Sequence, residues 1–306
     1  MESSKVDLAF QFAGLRMANP VILASGVIGI SAGLLRRAAR EGAGAVITKS
    51  FGITAREGNP GPVVTEVSSG FLNSLGLPNP GADEMKNEIV EARNGGVPVI
   101  ASVYGFNEDE YAKVATLAKE ACADALELNV SCPHVQEVGI EIGQSPELVY
   151  RVTKAAKSSF SGPLIVKLSP NVSDIVEIGE AAAKAGADAL TATNTVRAMA
   201  IDIDVRQPIL GGKFGGLSGP AIKPIAVRCV YELYERVPLP IIGCGGITKW
   251  QDIVEFMLAG ASAVQVGSAV AYGDLAVFRE LVEGLRDFMS AHGYTRLEEI
   301  IGTAHI

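Results

Sequence analysis

Eight short apolar runs punctuate the chain, at residues 21–25, 45–50, 98–103, 125–130, 164–169, 189–195, 240–245 and 263–270. Each is nearly continuous in hydrophobic character rather than alternating, which is the pattern of a strand covered on both faces in a parallel sheet wrapped by helices. Amphipathic stretches of helical length separate them, among them 108–121, 146–159, 173–185, 221–236 and 249–259, the third with Ser173 as its expected N-cap. This alternation predicts an α/β architecture, a (β/α)8 TIM barrel forming one domain over 1–306, with insertions after strands 2, 4 and 6. The connections into the strands carry an internal repeat. Glu41-Gly-Ala-Gly-Ala-Val46, Ala121-Cys-Ala-Asp-Ala-Leu126, Ala185-Gly-Ala-Asp-Ala-Leu190 and Ala259-Gly-Ala-Ser-Ala-Val264 enter strands two, four, six and eight. Three of the four place Gly where a helix needs a left-handed C-terminal cap. Strands three, five and seven are entered instead through Pro98, Pro163 and Pro240, an even/odd alternation that supports the barrel order. Two connections, 51–97 and 196–239, are too long for a plain crossover, and both leave the C-terminal end of a strand, where barrels keep their active sites.

Composition narrows the partners. The 306 residues are 48% hydrophobic and 20% charged, enough for one large core. With 34 acidic against 26 basic groups the net charge is −8, and no basic run exceeds the Arg36-Arg37 pair, so nucleic acid is not an expected partner. Cys122, Cys132, Cys229 and Cys244 stand far apart without a CxxC pair, and the first residues hold no apolar signal core, which places the expected compartment in a reducing cytoplasm. The longest weakly polar stretch, 258–272, is broken by Gln265 and falls short of the roughly 20 apolar residues a membrane span requires.

The strand ends carry the chemistry. Lys49 and Lys167 each close an otherwise apolar strand, and a buried ammonium is costly unless it meets negative charge, so the pair points to an anionic ligand or to a cofactor that becomes anionic. Cys132 lies just past strand four, with Pro133 after it and a Gly139/Gly143 loop that could act as a lid. As a base its thiol pKa, ordinarily about 8.5, would have to come down toward the working pH. Cys122, Cys229 and Cys244 read as small buried hydrophobes. Asn73, Asn129 and Asn194 with Thr195 offer donors and acceptors that suit a heterocycle bearing amide groups. Glycine-rich turns at Gly245-Gly246 and Gly267-Ser268 suit a phosphate site built from backbone amides at helix N-termini. Gly42-Ala-Gly44 is no dinucleotide fingerprint, Gly211-Gly-Lys-Phe is no P-loop, and the three histidines show no metal-ligand spacing, so no metal is expected.

Six strings in order, Asn19-Pro-Val-Ile-Leu-Ala-Ser-Gly26, Asn73-Ser-Leu-Gly-Leu-Pro-Asn-Pro-Gly81, Asn129-Val-Ser-Cys-Pro133, Val166-Lys-Leu-Ser-Pro-Asn171, Thr193-Asn-Thr195 and Gly215-Gly-Leu-Ser-Gly-Pro-Ala-Ile-Lys-Pro224, resemble class 1 dihydroorotate dehydrogenase, most of all the catalytic subunit of its NAD-linked B subgroup. The resemblance runs from about residue 15 to 271. It implies FMN across the barrel mouth, held by Ala24, Gly26, Lys49, Ser50, Asn129, Lys167, Gly219, Gly245, Gly246, Gly267 and Ser268. A cation near the ring stabilises a reduced, anionic flavin, which would give Lys167 its work. The resemblance further implies dihydroorotate and orotate gripped by Lys49, Asn73, Leu75, Gly76, Leu77, Asn129, Asn194 and Thr195, with Cys132 removing the C5 proton. It implies an electron-transfer subunit carrying FAD and a [2Fe-2S] cluster, and a homodimer of catalytic chains within a heterotetramer. Two positions depart from the pattern, His134 where the family has Asn and Ser102 where bacterial members often have Asn. Cys132-Pro-His134 also resembles the flavin domain of dihydropyrimidine dehydrogenase, the alternative within enzymes, and a non-redox barrel binding a phosphorylated metabolite is the alternative outside them.

Overall fold

The structure, a computed structural model, describes residues 6–131 and 142–306. Eight parallel strands, β1 (Val21–Leu23), β2 (Ala45–Ile47), β3 (Val99–Val103), β4 (Ala125–Asn129), β5 (Leu164–Leu168), β6 (Ala189–Ala192), β7 (Ile241–Cys244) and β8 (Ala261–Val266), pair in chain order, and β8 pairs with β1 to close the barrel. Helices α1 (Ala32–Arg40), α2 (Ala82–Ala92), α3 (Glu108–Glu120), α4 (Pro146–Ser159), α5 (Ile175–Lys184), α6 (Lys223–Arg236) and α7 (Trp250–Leu258) fill the crossovers, and Val277–Ala291 packs after the last strand. The expected barrel is therefore the observed one.

Its repeat has a physical basis. The carbonyls of Pro20, Pro98, Pro163 and Pro240, one before each odd strand, accept the amides of Val264, Val46, Leu126 and Leu190 on the even strands beside them. Proline cannot donate to a ladder but can still accept, so it suits the first rung. At the matching helix ends Gly42, Gly186 and Gly260 hold φ of +105°, +97° and +114°, the left-handed cap that the repeat predicted. Cys122 takes the same place with φ +57° and is exposed, so it is not the small buried hydrophobe its composition suggested, whereas Cys229 is buried. A second correction concerns α5, whose N-cap is Asp174 rather than Ser173. The Asp174 carboxylate accepts from the Val176 amide at 2.8 Å, one residue further along than the pattern placed the cap.

Strand parity sorts the barrel interior into layers. Ile22, Ala45, Ile47, Ile100, Ala125, Ile165, Ala189, Ile242 and Ala263 form one apolar cluster at the floor. It is closed from below by Phe12, Leu15 and Met17 of an N-terminal hairpin, Phe10–Phe12 with Leu15–Met17. Two residues further along several of these strands the inward positions turn polar, at Lys49, Ser102, Glu127, Lys167, Thr191 and Gln265, all buried. The insertions after strands 2 and 6 meet above this layer. Val64–Val67, Gly70–Asn73, Gly215–Ser218 and Val196–Ala198 form a four-stranded antiparallel sheet across the two loops. The insertion expected after strand 4 falls largely on 132–141, outside the described residues, and Gly143 beyond it is buried with its amide on the Val130 carbonyl at 2.7 Å.

Candidate active site

Three groups of residues converge at the C-terminal end of the barrel. The first is the polar layer. Lys167 and Lys49 are 5% and 8% exposed, close to fully enclosed for side chains that carry charge. Lys167 Nζ donates to Gln265 Oε1 at 2.8 Å and stands 4.0 Å from Glu127 Oε1. Burial works against the Lys167 ammonium, yet Cys244 and Glu127 beside it outweigh that effect and raise its pKa above the ordinary lysine value. Burial pushes the Cys244 thiol up in turn, so at neutral pH it is a neutral partner and Glu127 is the lasting counter-charge. Cys244, expected to be a plain hydrophobe, thus faces the lysine.

The second group is a ring of amides and hydroxyls at the rim. Asn129 Nδ2 donates to Ser50 Oγ at 3.3 Å, Ser50 and Ser102 share a hydrogen bond of 2.8 Å, and Asn194 Nδ2 donates to Asn129 Oδ1 at 3.2 Å and to Ser131 Oγ at 3.1 Å. Asn194 Oδ1 accepts from the Thr195 amide at 2.8 Å. Asn73 lies opposite, its Nδ2 on the Gly216 carbonyl at 3.1 Å across the insertion sheet. Asn59 takes up the Ser74 and Leu75 carbonyls, each at 2.9 Å, while the amides of Leu75, Gly76 and Leu77 donate to nothing among the described residues. Cys132 and His134 lie outside the described residues, one and three positions past Ser131.

The third group is the pair of turns after β7 and β8. The amides of Gly245, Gly246, Gly267 and Ser268 donate no hydrogen bond among the described residues, although Gly246 is buried. A buried amide is nearly always paired, so the Gly246 donor, with three part-buried ones on the same two turns, reads as a site for an anionic ligand. Gly246 holds φ +77°, and a Cβ there would stand 2.7 Å from the Gly219 carbonyl oxygen, which is why the turn after β7 needs glycine at this position. After β7 the start of the following helix is already occupied, so there the donors left open among the described residues are those of the turn. Asp252 already occupies the start of α7, accepting from the Thr248 and Lys249 amides at 2.9 and 3.1 Å and from Lys223 at 2.8 Å. After β8, by contrast, Ser268 is the N-cap of a short helix, Ala269–Gly273.

A cleft of about 700 Å3 lined by Gly14, Arg16, Arg93 and Asp124 lies at the opposite, N-terminal end of the barrel, away from all three groups.

With this geometry in view, comparison with known proteins is decisive. A family model described as dihydroorotate dehydrogenase matches residues 7–289. The chain belongs to the dihydroorotate dehydrogenase family. The curated protein named dihydroorotate dehydrogenase B (NAD(+)), catalytic subunit, from Pyrococcus furiosus is 52% identical over 299 residues, covering 98% of this chain and 99% of that one. The protein of the same name from Methanocella arvoryzae is 49% identical over 95% of this chain and 96% of its own. Among solved structures, dihydroorotate dehydrogenase from Eimeria tenella in complex with ferulenol aligns with a TM-score of 0.86 over 100% of this chain and 90% of that one, at 23% identity, and so speaks for the fold.

The dihydroorotate dehydrogenases are flavin-dependent, and the residues present fit FMN. Four unpaired amides suit its phosphate. Ala24 and Gly26 at the end of β1 adjoin that turn, with Ala24 Cβ 3.5 Å from where a Gly267 Cβ would stand and open space above Gly26. Lys167, Lys49, Ser50 and Asn129 lie toward the centre of the mouth. Among the residues that the sequence assigned to cofactor and substrate, the structure joins Ser50, Asn129 and Asn194 by hydrogen bonds, sets Ala24 beside Gly267, and sets Gly219 against Gly246. It adds Glu127, Thr191, Gln265 and Cys244, whose only signal in the sequence was polar character two residues past an inward apolar position.

Proposed function

We propose that this chain is the FMN-bearing catalytic subunit that oxidises dihydroorotate to orotate in de novo pyrimidine (UMP) biosynthesis. The observation that carries this reading is the row of unpaired amides at Gly245, Gly246, Gly267 and Ser268 beside two enclosed lysines, in a chain of this family. Bound there, FMN would accept the hydride from C6 of dihydroorotate. Gly219, Gly245, Gly246, Gly267 and Ser268 hold the phosphate end in this reading, and Ala24, Gly26, Ser50, Asn129 and Lys167 the ring.

The amides of Leu75, Gly76 and Leu77, which donate to nothing among the described residues, receive the substrate carboxylate in this reading, with the Lys49 ammonium supplying opposite charge. Asn73, Asn129, Asn194 and Thr195 meet the amide edges of the heterocycle, each offering both a donor and an acceptor. Cys132 is assigned the base that takes the C5 proton, on its place three residues past Asn129 and on the resemblance of Asn129-Val-Ser-Cys-Pro133. Both relatives are named catalytic subunits with NAD(+) in their names, which supports a separate partner subunit. That this partner carries FAD and [2Fe-2S], and that the catalytic chains form a homodimer, rests on the resemblance of the sequence motifs alone, and the cytoplasmic compartment rests on the scattered cysteines of the sequence.

The test is optical. The purified chain should be yellow with about one FMN per chain, and dihydroorotate should bleach it while dihydrouracil does so weakly, since a site built for a carboxylate rejects an analogue lacking one. Cys132→Ala should slow the bleaching by on the order of 10²-fold. NAD should not be reduced by this chain alone. A colourless protein that added FMN does not stabilise against heat overturns the cofactor assignment, and equal bleaching by dihydrouracil overturns the substrate.

A further inference from the structure

The polar layer beneath the mouth contains a group to which neither the family resemblance nor the proposed reaction gives any work. Glu127 sits at the centre of β4 with no exposure, between floor residue Ala125 and rim residue Asn129 on the same inward face. A carboxylate there is costly unless it is paired and bonded. Its Oε2 accepts from Thr191 Oγ1 at 3.0 Å and from Gln265 Nε2 at 2.5 Å, while its Oε1 has no hydrogen bond among the described residues and faces Lys167 Nζ at 4.0 Å. The Gln265 amide is oriented by its neighbours. An ammonium can only donate and a carboxylate can only accept, so Oε1 must turn to Lys167 and Nε2 to Glu127. Gln265 Nε2 also reaches Thr191 Oγ1 at 3.2 Å, closing a triangle. Four strands thereby hold one charge pair: β5 the cation, β4 the anion, β8 the bridge and β6 the brace.

Such an assembly does something that a lone lysine cannot. Resting on the reading of this mouth as a flavin site, we propose that Glu127, bridged by Gln265 and braced by Thr191, is a positioning residue that fixes the Lys167 ammonium and sets the net charge presented to the flavin. A cation alone beneath the ring would favour the reduced cofactor strongly. A cation balanced by a buried carboxylate at 4.0 Å favours it less and aims the ammonium along one direction. The pair therefore trims the driving force for taking electrons from the substrate, so that they can be passed on. Among the described residues the titratable groups interacting with Lys167 are Glu127 on β4 and Cys244 on β7, and the second is a neutral thiol held up by burial.

Two measurements test this, both on the full chain in excess FMN. The first is the flavin midpoint potential between about pH 6 and 10, a window in which the wild-type lysine keeps its charge. Glu127→Gln conserves shape and removes the anion. Its potential should lie above wild type at the acid end, where Lys167 is still protonated and unopposed. It should then fall back toward wild type as burial strips the lysine of its proton, giving a break that the wild-type profile lacks. Glu127→Asp, which keeps the charge, should show no break. A Glu127→Gln profile superimposable on wild type overturns the proposal.

The second measurement is a thermal-unfolding cycle, which reads the pair without reference to redox. Glu127→Gln and Lys167→Gln should each lower the melting temperature by leaving one buried charge uncompensated, and the double variant should recover most of the loss. If Glu127→Gln fails to fold, the double variant should restore folding. A double variant no better than the worse single one overturns the pairing. Absence of bound flavin from the wild type would instead strike the proposed function and leave the cycle intact.

Discussion

At the scale of single residues, the site is built by withholding partners at some positions and supplying them in excess at others. The amides of the Gly245-Gly246 and Gly267-Ser268 turns have no acceptors among the described residues, while Asp252 a few residues past the first turn accepts three hydrogen bonds and an ion pair. Burial alone would raise the Asp252 carboxyl, but the hydrogen bond from Lys223 and those from the Thr248 and Lys249 amides more than offset it and hold the group below the usual carboxylate range. A carboxyl whose folded pKa is depressed stabilises the fold fully above its unfolded value and loses that contribution as pH falls through the folded one. Asp252→Asn should therefore cost about 1–2 kcal/mol at pH 7. The difference from wild type should begin to shrink as pH falls below about 4, the ordinary value for the unfolded carboxyl, and should keep shrinking with further acid, as urea unfolding over a series of pH values would show. A difference that persists in acid would mean that the ionised form is not what stabilises the turn.

Elements are cut to length by caps, and one of the four repeats carries an unfavourable residue. Gly42, Gly186 and Gly260 accept a left-handed backbone without steric cost, whereas Cys122 at the end of α3 reaches φ +57° with a side chain attached. The cap bonds are nevertheless formed, with the Cys122 amide on the Lys119 carbonyl at 2.9 Å and the Ala123 amide on Ala118 at 3.2 Å. The thiol is exposed and contributes no packing that glycine would lose. Cys122→Gly should raise stability by about 0.5–1 kcal/mol, relief of left-handed strain exceeding the extra chain entropy of glycine. Chemical denaturation of the two proteins checks the sign, and a less stable glycine variant would show that the strain is negligible.

Across the whole molecule, the plug beneath the floor, the barrel strands that carry floor and polar layer, and the roof come from separate parts of the chain. The N-terminal hairpin closes the floor, with Phe12 at 1% exposure against the apolar ends of the strands. Phe12→Ala should cost about 3–5 kcal/mol through the cavity it leaves, measured as a lowered denaturation midpoint. A loss under 1 kcal/mol would mean the barrel closes without its plug. The sequence by itself determined the barrel, because eight doubly covered strands and a repeated Gly/Pro connection are local patterns that only one closed arrangement satisfies. It also marked the residues of the mouth, since polar side chains and glycines at the ends of apolar runs stand out against their neighbours. It could not show which face of each strand looks inward, so Glu127, Thr191, Gln265 and Cys244 read as isolated exceptions on four separate strands. Nor could it show that the insertions after strands 2 and 6, about 140 residues apart at the Asn73 to Gly216 bond, share one sheet. Those facts depend on register and on pairings distant in the chain. Tertiary structure alone decided them, because a charge pair or a strand pair is formed by what closure of the barrel brings within reach, and no local pattern encodes that distance.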